Sequence, residues 1–312
     1  MIYTLTTNPS IDYYLYNDAE LTQGIHRCTD YAFIVAGKGV NVSRLLAQFQ
    51  MKSTCVVVCG GFSGRHIEKE LKKEKLLQTI CIQVSQESRM NVKIRFHKKE
   101  MDINTSGPFV DAMAKEELLH VFDQVREDDI VCISGSLQND MKDTLDHIAE
   151  KIHEKKAKLI LDIPNITAAK IAVCHPYLIK PNLEELADLM QTEKELEKIL
   201  TKAKSVFADK GIRVLVSLGE EGSCYISRDA IYQVSSARVD KVINTVAAGD
   251  SMLAGFLYML AKDSTLEDTL SFASAAGGAS VMSSYLPDMD TVQKLLQLVS
   301  VRELWRRHVD SE

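Results

Sequence analysis

Uninterrupted apolar runs recur along the chain, with amphipathic stretches between them. The runs are "TCVVVCG" (54–60), "DIVCISGS" (129–136), "KLILD" (158–162) and "RVLVSLG" (213–219). Helical spacing of apolar positions predicts helices over 64–74, 111–126, 141–155, 183–190 and 194–210. Val, Ile and Leu without polar alternation mark strands covered on both faces, and the intervening helices supply the cover. The pattern therefore predicts a doubly wound α/β fold around a mostly parallel sheet.

Two regions break this rhythm. "IDYYLY" to "DYAFIV" (11–16 and 30–35) and "RMNVKIRF" (89–96) alternate apolar and polar residues with no helix between. Such alternation belongs to half-exposed antiparallel strands. We expect a small antiparallel sheet, built from about 11–35 and 88–106, that closes over a site as a lid and offers its outer face to a second subunit. After Asp250 the spacing is helical, over 249–262, 265–283 and 290–307, with Trp305 in a solvated helix end. No repeat, low-complexity tract or linker divides the chain, which predicts one domain over 1–312.

Composition narrows the partners. The 312 residues are 46% hydrophobic and 26% charged, enough for a large core, and the net charge is -6. An acidic balance disfavours nucleic acid and anionic membranes, which need a basic surface. The longest apolar run, 252–261, is too short to span a bilayer, and the N-terminus shows no secretion signal. The seven cysteines are odd in number and form no C-x-x-C pair, as expected of buried thiols in a reducing cytoplasm.

Four short motifs carry candidate chemistry, while the P-loop, dinucleotide and zinc-protease signatures do not occur. "AGKGVNV" (36–42) sets glycines around Lys38 at a helix start, where free N–H groups and an ammonium can hold an anion. "KPNLEEL" (180–186) spaces Asn182 and Glu185 as a capping box, or as oxygen ligands that hold Mg²⁺ through water. "SLGEEG" (217–222) is a Gly-x-x-Gly turn, which alone means a hairpin. "NTVAAGD" (244–250) leads a strand-like end into an apolar helix, with Asp250 either capping the helix or acting as a carboxylate base beside an anion-binding helix end.

In order along the chain, "TTNPSID", "AGKGVNV", "SRMNVKI", "SGSL", "KPNLEEL", "SLGEEG" and "NTVAAGDSMLAGF" resemble the ribokinase-like (PfkB) carbohydrate kinases. The likeness is nearest to the branch of 1-phosphofructokinase and tagatose-6-phosphate kinase. It implies an ATP- and Mg²⁺-dependent kinase that makes a ketohexose bisphosphate from fructose 1-phosphate or tagatose 6-phosphate, working as a homodimer through the lid. Asp250 would be the general base, with the N–H groups of Ala247, Ala248 and Gly249 as anion hole. Asn182 and Glu185 would organise Mg²⁺, Lys180 would approach the nucleotide phosphates, and Ser217, Leu218, Gly219, Glu220, Glu221 and Gly222 would line the adenine-nucleotide site. Asp12, Gly37, Lys38 and Asn41 would hold sugar hydroxyls. Arg89, with Lys38 and Ser136, would receive the substrate's phosphate, with Arg27 as a further contributor within the chain or across a dimer.

The chain departs from the family pattern where Ala247-Ala248-Gly249-Asp250 replaces G-A-G-D and where "SGSLQND" replaces S-G-S-L-P. It departs again at "LDIPNITA" and at "SAAGGASVMSSYLPD". A kinase of an unphosphorylated sugar or nucleoside, and a sugar-phosphate sensor without turnover, remain the alternatives. At position 247 we expect an ordinary negative φ, since alanine bars positive values.

Overall fold

Pairing of the apolar runs, strand beside strand, produces the main sheet. The computed structural model describes residues 1–97, 99–239, 242–243, 245–283 and 286–307. Its strands in chain order are β1 (Ile2–Thr6), β2 (Ser10–Asn17), β3 (Asp30–Ala36), β4 (Ser53–Gly60), β5 (Leu77–Val84), β6 (Arg89–Phe96), β7 (Lys99–Asn104), β8 (Ile130–Ser134), β9 (Lys158–Asp162), β10 (Leu178–Ile179), β11 (Arg213–Ser217), β12 (Ser223–Ile226), β13 (Ala230–Val234) and β14 (Val301–Arg306). The helices are α1 (Lys38–Gln48), α2 (Gly61–Leu71), α3 (Ala112–Val121), α4 (Lys142–Glu154), α5 (Ala168–Cys174), α6 (Leu183–Met190), α7 (Leu196–Val206), α8 (Ala248–Ala261), α9 (Leu266–Val281) and α10 (Met289–Leu296).

Among the described residues the main sheet has ten strands, in the order β14-β13-β12-β11-β10-β9-β8-β1-β4-β5. From β5 across to β11 every pairing is parallel, and β12, β13 and β14 extend the sheet antiparallel. Alternate residues of the parallel strands feed cores on the two faces of the sheet, and Cys55, Val57 and Cys59 of β4 with Leu77 of β5 feed a third cluster with Ile67 and Leu71 of α2. Ile130, Cys132, Ile160 and Leu215 pack with Val42, Leu45 and Leu46 of α1 and with Phe256, Leu257 and Phe272 of α8 and α9. Val131, Ile133, Leu159, Leu161 and Val214 pack on the other face with Leu145, Ile148, Ile152, Leu186 and Ile199. Each such fully buried aliphatic side chain contributes about 1.5–3 kcal/mol. Gly255 lets α8 press on α9, since a Cβ there would lie 3.0 Å from Ala273 Cα.

The small sheet has the order β3-β2-β6-β7. Its outer pairs, β2 with β3 and β6 with β7, are antiparallel hairpins, and its central pair is parallel, with Asp12 opposite Asn91. A parallel centre follows from the connectivity, because the chain passes through α1, β4, α2 and β5 between β2 and β6 and returns to the same end.

Three expectations are corrected. Residues 290–307 are not one helix: α10 ends at Leu296, and 301–306 form β14 on the open edge of β13. Unpaired backbone groups on β13 outweigh local helix propensity there, and Trp305 lies 38% exposed under the Lys204 ammonium. Not all thiols are buried, for Cys28 is exposed and Cys81 half-buried, while all seven cysteines are free. Strands β5, β10 and β13 and helix α5 have no counterpart in the expected pattern; β10 is only two residues long, and β5 and β13 lie at or near sheet edges, where apolar signal is weakest. No helix of the described residues is long and apolar enough to cross a membrane.

Candidate active site

Ligand sites of open parallel sheets lie beyond the carboxyl ends of the strands. In this chain a cavity of about 430 Å³ opens there, between the main sheet, the small sheet and the start of α8. The small sheet and α1 contribute Ser10, Asp12, Gly37, Lys38, Asn41, Arg89 and Asn91. The strand ends contribute Lys180, Asn182, Glu185 and Ser217, and the third wall is Thr245, Val246, Ala247, Ala248, Gly249 and Asp250.

Asp250 does not cap α8. The helix begins at Ala248 behind an N-cap at Ala247 that makes no side-chain cap bond, and Asp250 sits within the first turn, 6% exposed. Its Oδ2 accepts a 2.7 Å hydrogen bond from Asn41 Nδ2. Burial pushes the carboxyl up to about 6, and repulsion from Asp162 adds to it, against the pull of the Asn41 bond, Lys38 and Lys180. A carboxylate tuned toward neutrality suits proton abstraction at physiological pH. The first turn of α8 lines the same cavity, with the Ala248 N–H donating to the Thr245 carbonyl at 3.5 Å, and such a helix start is a favourable place for an anion.

Asp162, at the end of β9, organises the cations. It is buried, and binds Lys38 Nζ at 2.9 Å and Lys180 Nζ at 3.5 Å. Burial works against the Lys38 charge, but Asp162, then Asp250 and Glu185, hold its pKa above the usual lysine value. Gly249 lets Lys180 approach the helix start, since a Cβ there would come 3.2 Å from Nζ. Gly37, at φ 145, supplies the turn that delivers Lys38, and a side chain there would strike Thr6.

Asn182 and Glu185 form a complete capping box on α6. Asn182 Oδ1 accepts from the Glu185 N–H at 2.8 Å, and Glu185 Oε2 accepts from the Asn182 N–H at 2.9 Å. The box aims Glu185 at the cavity and leaves its other oxygen without a hydrogen-bond partner among the described residues. Ser217 joins it through a β-bridge to Asn182.

The remaining candidates are spread more widely. Arg89 faces the cavity half-buried, with Nε buried and unpartnered; burial lowers its pKa, Asp12 raises it, and it stays charged. Ser136 lies behind the wall, accepting from Asn8 Nδ2 at 3.1 Å, and Arg27 sits exposed in the β2–β3 loop, outside the cavity of its own chain. Of residues 217–222, Ser217 lines the cavity, Leu218 belongs to the core, and Gly219, Glu220 and Glu221 form an exposed turn ahead of buried Gly222. That turn joins the antiparallel β11 and β12, so the plain hairpin is realised.

Comparison with known proteins shows the family. The pattern of the pfkB family carbohydrate kinases matches residues 5–289. The chain belongs to the pfkB family of carbohydrate kinases. It is 33% identical to the 1-phosphofructokinase of Bacillus subtilis, over 97% of this chain and 100% of that one. It is 34% identical to the D-tagatose-1-phosphate kinase of Bacillus licheniformis, over 97% and 100% of the two chains. The crystal structure of phosphofructokinase-2 from Escherichia coli in complex with substrates and products superposes with a TM-score of 0.86 at 26% identity, covering 95% of this chain and 98% of that one.

Among the functional residues that sequence reasoning does not reach are Asp162, which holds Lys38 and Lys180 from behind the cavity, and Ser10 and Asn91, which line it. Asp162 closes a buried strand, where a carboxylate has no structural reason to be, and that was its available signal. Ser10 and Asn91 gave none, since both are ordinary polar residues within strands.

Ala247 reverses its expectation, with φ 65 and ψ 4 in the left-handed region. An L-residue there is strained by about 1–2 kcal/mol. Ala247→Gly is therefore expected to stabilise the protein by about 1 kcal/mol, the strain relief outweighing the added unfolded-state entropy. Since glycine offers the same N–H, kcat should change by less than about fivefold. Urea denaturation checks the first statement, and a variant less stable than wild type would contradict it.

Proposed function

We propose that this kinase transfers the γ-phosphoryl group of ATP to a hydroxyl of a ketohexose monophosphate, yielding the 1,6-bisphosphate. The observation that carries the reading is one cavity holding both a buried carboxylate tuned to about 6, beside a helix start, and an unpaired guanidinium, Arg89, on the opposite wall. The first suits the reacting end of the substrate, and the second suits a phosphate already present. The relatives named for fructose 1-phosphate and tagatose 1-phosphate chemistry support the same class.

Within this reading the acceptor hydroxyl gives its proton to Asp250 while its oxygen attacks the γ-phosphorus. The bond to the β–γ bridging oxygen breaks, and ADP leaves. The amides of Ala247, Ala248 and Gly249, with Lys180, stabilise the charge on the transferring group. Phosphoryl transfer needs this positioning and charge stabilisation more than covalent help. Asp12, Gly37, Lys38 and Asn41 hold the sugar. Among the described residues no cluster of three or more His, Cys, Asp or Glu is placed to bind a metal directly. The oxygen donors of Asn182 and Glu185, both lining the cavity, suit Mg²⁺ held through water, where it would neutralise phosphate charge. The small sheet serves as lid, and its exposed Tyr31, Phe33, Met101 and Ile103 offer an apolar face to a second copy.

A coupled ADP-release assay over fructose 1-phosphate, tagatose 1-phosphate, tagatose 6-phosphate, fructose 6-phosphate, the free ketohexoses and nucleosides tests the proposal. Turnover confined to unphosphorylated acceptors would refute it, and tight binding without turnover would make the protein a sensor. Glu185→Gln is expected to raise the Mg²⁺ concentration for half-maximal rate severalfold with unaltered thermal stability, because glutamine still completes a capping box but carries no charge. An unchanged Mg²⁺ titration would reduce Glu185 to a cap.

A further inference from the structure

The parallel register of β2 and β6 places Ser10 opposite Arg89 and Asp12 opposite Asn91, so four polar side chains form a square on the cavity face of the small sheet. Three of the four are nearly excluded from solvent: Ser10 at 0%, Asp12 at 8% and Asn91 at 6% exposure. Their hydrogen bonds converge on one atom. Asp12 Oδ1 accepts from Asn91 Nδ2 at 2.7 Å and from Ser10 Oγ at 3.0 Å, and Asn91 Nδ2 also lies 3.2 Å from Ser10 Oγ. Among the described residues Asp12 Oδ2 accepts no hydrogen bond, and Lys93 Nζ stands 3.9 Å away, beyond hydrogen-bond length.

We infer that Asn91 is a positioning residue for substrate binding: with Ser10 it saturates Oδ1 of Asp12, fixes the plane of that carboxylate, and leaves Oδ2 as the oxygen offered to sugar hydroxyls. An ionised carboxylate can only accept, so the Asn91 amide must present its NH₂ to Asp12. The same orientation leaves Asn91 Oδ1 buried and without a partner, a cost the free protein carries. A group kept at a cost to folding, and aimed at a ligand-facing carboxylate, acts on ligand binding more than on the fold. The effect falls on the sugar, because Asp12 and Asn91 stand on the lid side of the cavity, across from Lys180 and Asn182.

This inference rests on the proposed kinase reading but is tested separately from it. Asn91→Ala should raise the KM for the preferred sugar phosphate about tenfold, equivalent to about 1.4 kcal/mol, with kcat within about threefold and the KM for ATP unchanged. Calorimetric titration with fructose 1-phosphate and with tagatose 6-phosphate should show the same tenfold loss of affinity in the absence of nucleotide. In an Asp12→Ala background, Asn91→Ala should then add nothing, since its partner is gone. An equal tenfold loss in that background, or an unaltered sugar-phosphate KM in Asn91→Ala itself, would overturn the inference. Should Asn91→Ala not fold, Asn91→Ser, which keeps a short donor, should lie between wild type and Asp12→Ala; wild-type affinity in it overturns the inference too. A wild type that binds sugar phosphates in this Asn91-dependent way without releasing ADP would sink the kinase reading and leave the positioning role standing.

Discussion

Asp250→Asn is expected to lower kcat by a hundredfold or more, the scale on which a general base contributes, and at the same time to make the protein more stable. Both effects follow from burial. In the unfolded chain the carboxyl ionises near 3.8, and in the folded cavity near 6. Between those values the native state holds a proton that the unfolded state has released, so stability falls as pH rises through this window. Above pH 6 the penalty is complete, at about 3 kcal/mol for a shift of two pKa units. Asparagine fills the same space, still accepts from Asn41 and carries no charge. Its stability advantage should therefore be largest at pH 7–8, shrink as pH falls from 6 to 4 and vanish below that, as urea melts at several pH values would show. Wild-type kcat should in turn decline as pH falls through about 6. Turnover within threefold of wild type would remove Asp250 from the chemistry.

The second large effect is expected at Arg89. Its guanidinium is half-buried, its Nε is unpartnered, and the net charge nearby comes from Asp12. A phosphate arriving there gains charge-assisted hydrogen bonds worth about 1.5–3 kcal/mol. Arg89→Ala should accordingly raise the KM for ketohexose monophosphates by about 10- to 150-fold, while the KM for ATP stays close to wild type. Free ketohexoses, lacking the phosphate, should lose little. If every sugar phosphate keeps its KM, the second phosphate is bound elsewhere.

The parallel half of the fold was legible because strands covered on both faces are mostly apolar, which makes β4, β8, β9 and β11 stand out. The antiparallel edge was not. Short strands such as β12 and β13 look like β-branched loops, and Val301–Arg306 has a composition a helix tolerates equally well; only the free edge of β13 decides its form. In the site, Asp250, Lys38, Asn182 and Glu185 announced themselves through glycines, helix starts and spacing. Asp162 acts on Lys38, more than a hundred residues away, as well as on the nearer Lys180, and Asn91 acts on Asp12, about eighty residues away; no local pattern encodes such separations. Ala247 shows a different gap: sequence names the residue but not its φ, and the enclosing loop and helix impose a conformation that alanine would not choose.

The pairing of β14 with β13 also bears on how the protein behaves when crowded. A sheet of ten strands ends in backbone N–H and C=O groups with no partner, and such an edge invites a strand from a neighbouring molecule. Ala230–Val234 would be a dangerous terminus, apolar and mostly buried. Covering it with Arg302, Glu303 and Arg306 puts charge on the outermost strand, and the Arg306 bond to Tyr232 Oη at 2.9 Å pins that strand down. Cleavage after Ser300 should thus leave the cavity's residues in place yet cause the chain to self-associate at micromolar concentration, visible by light scattering well before activity is lost.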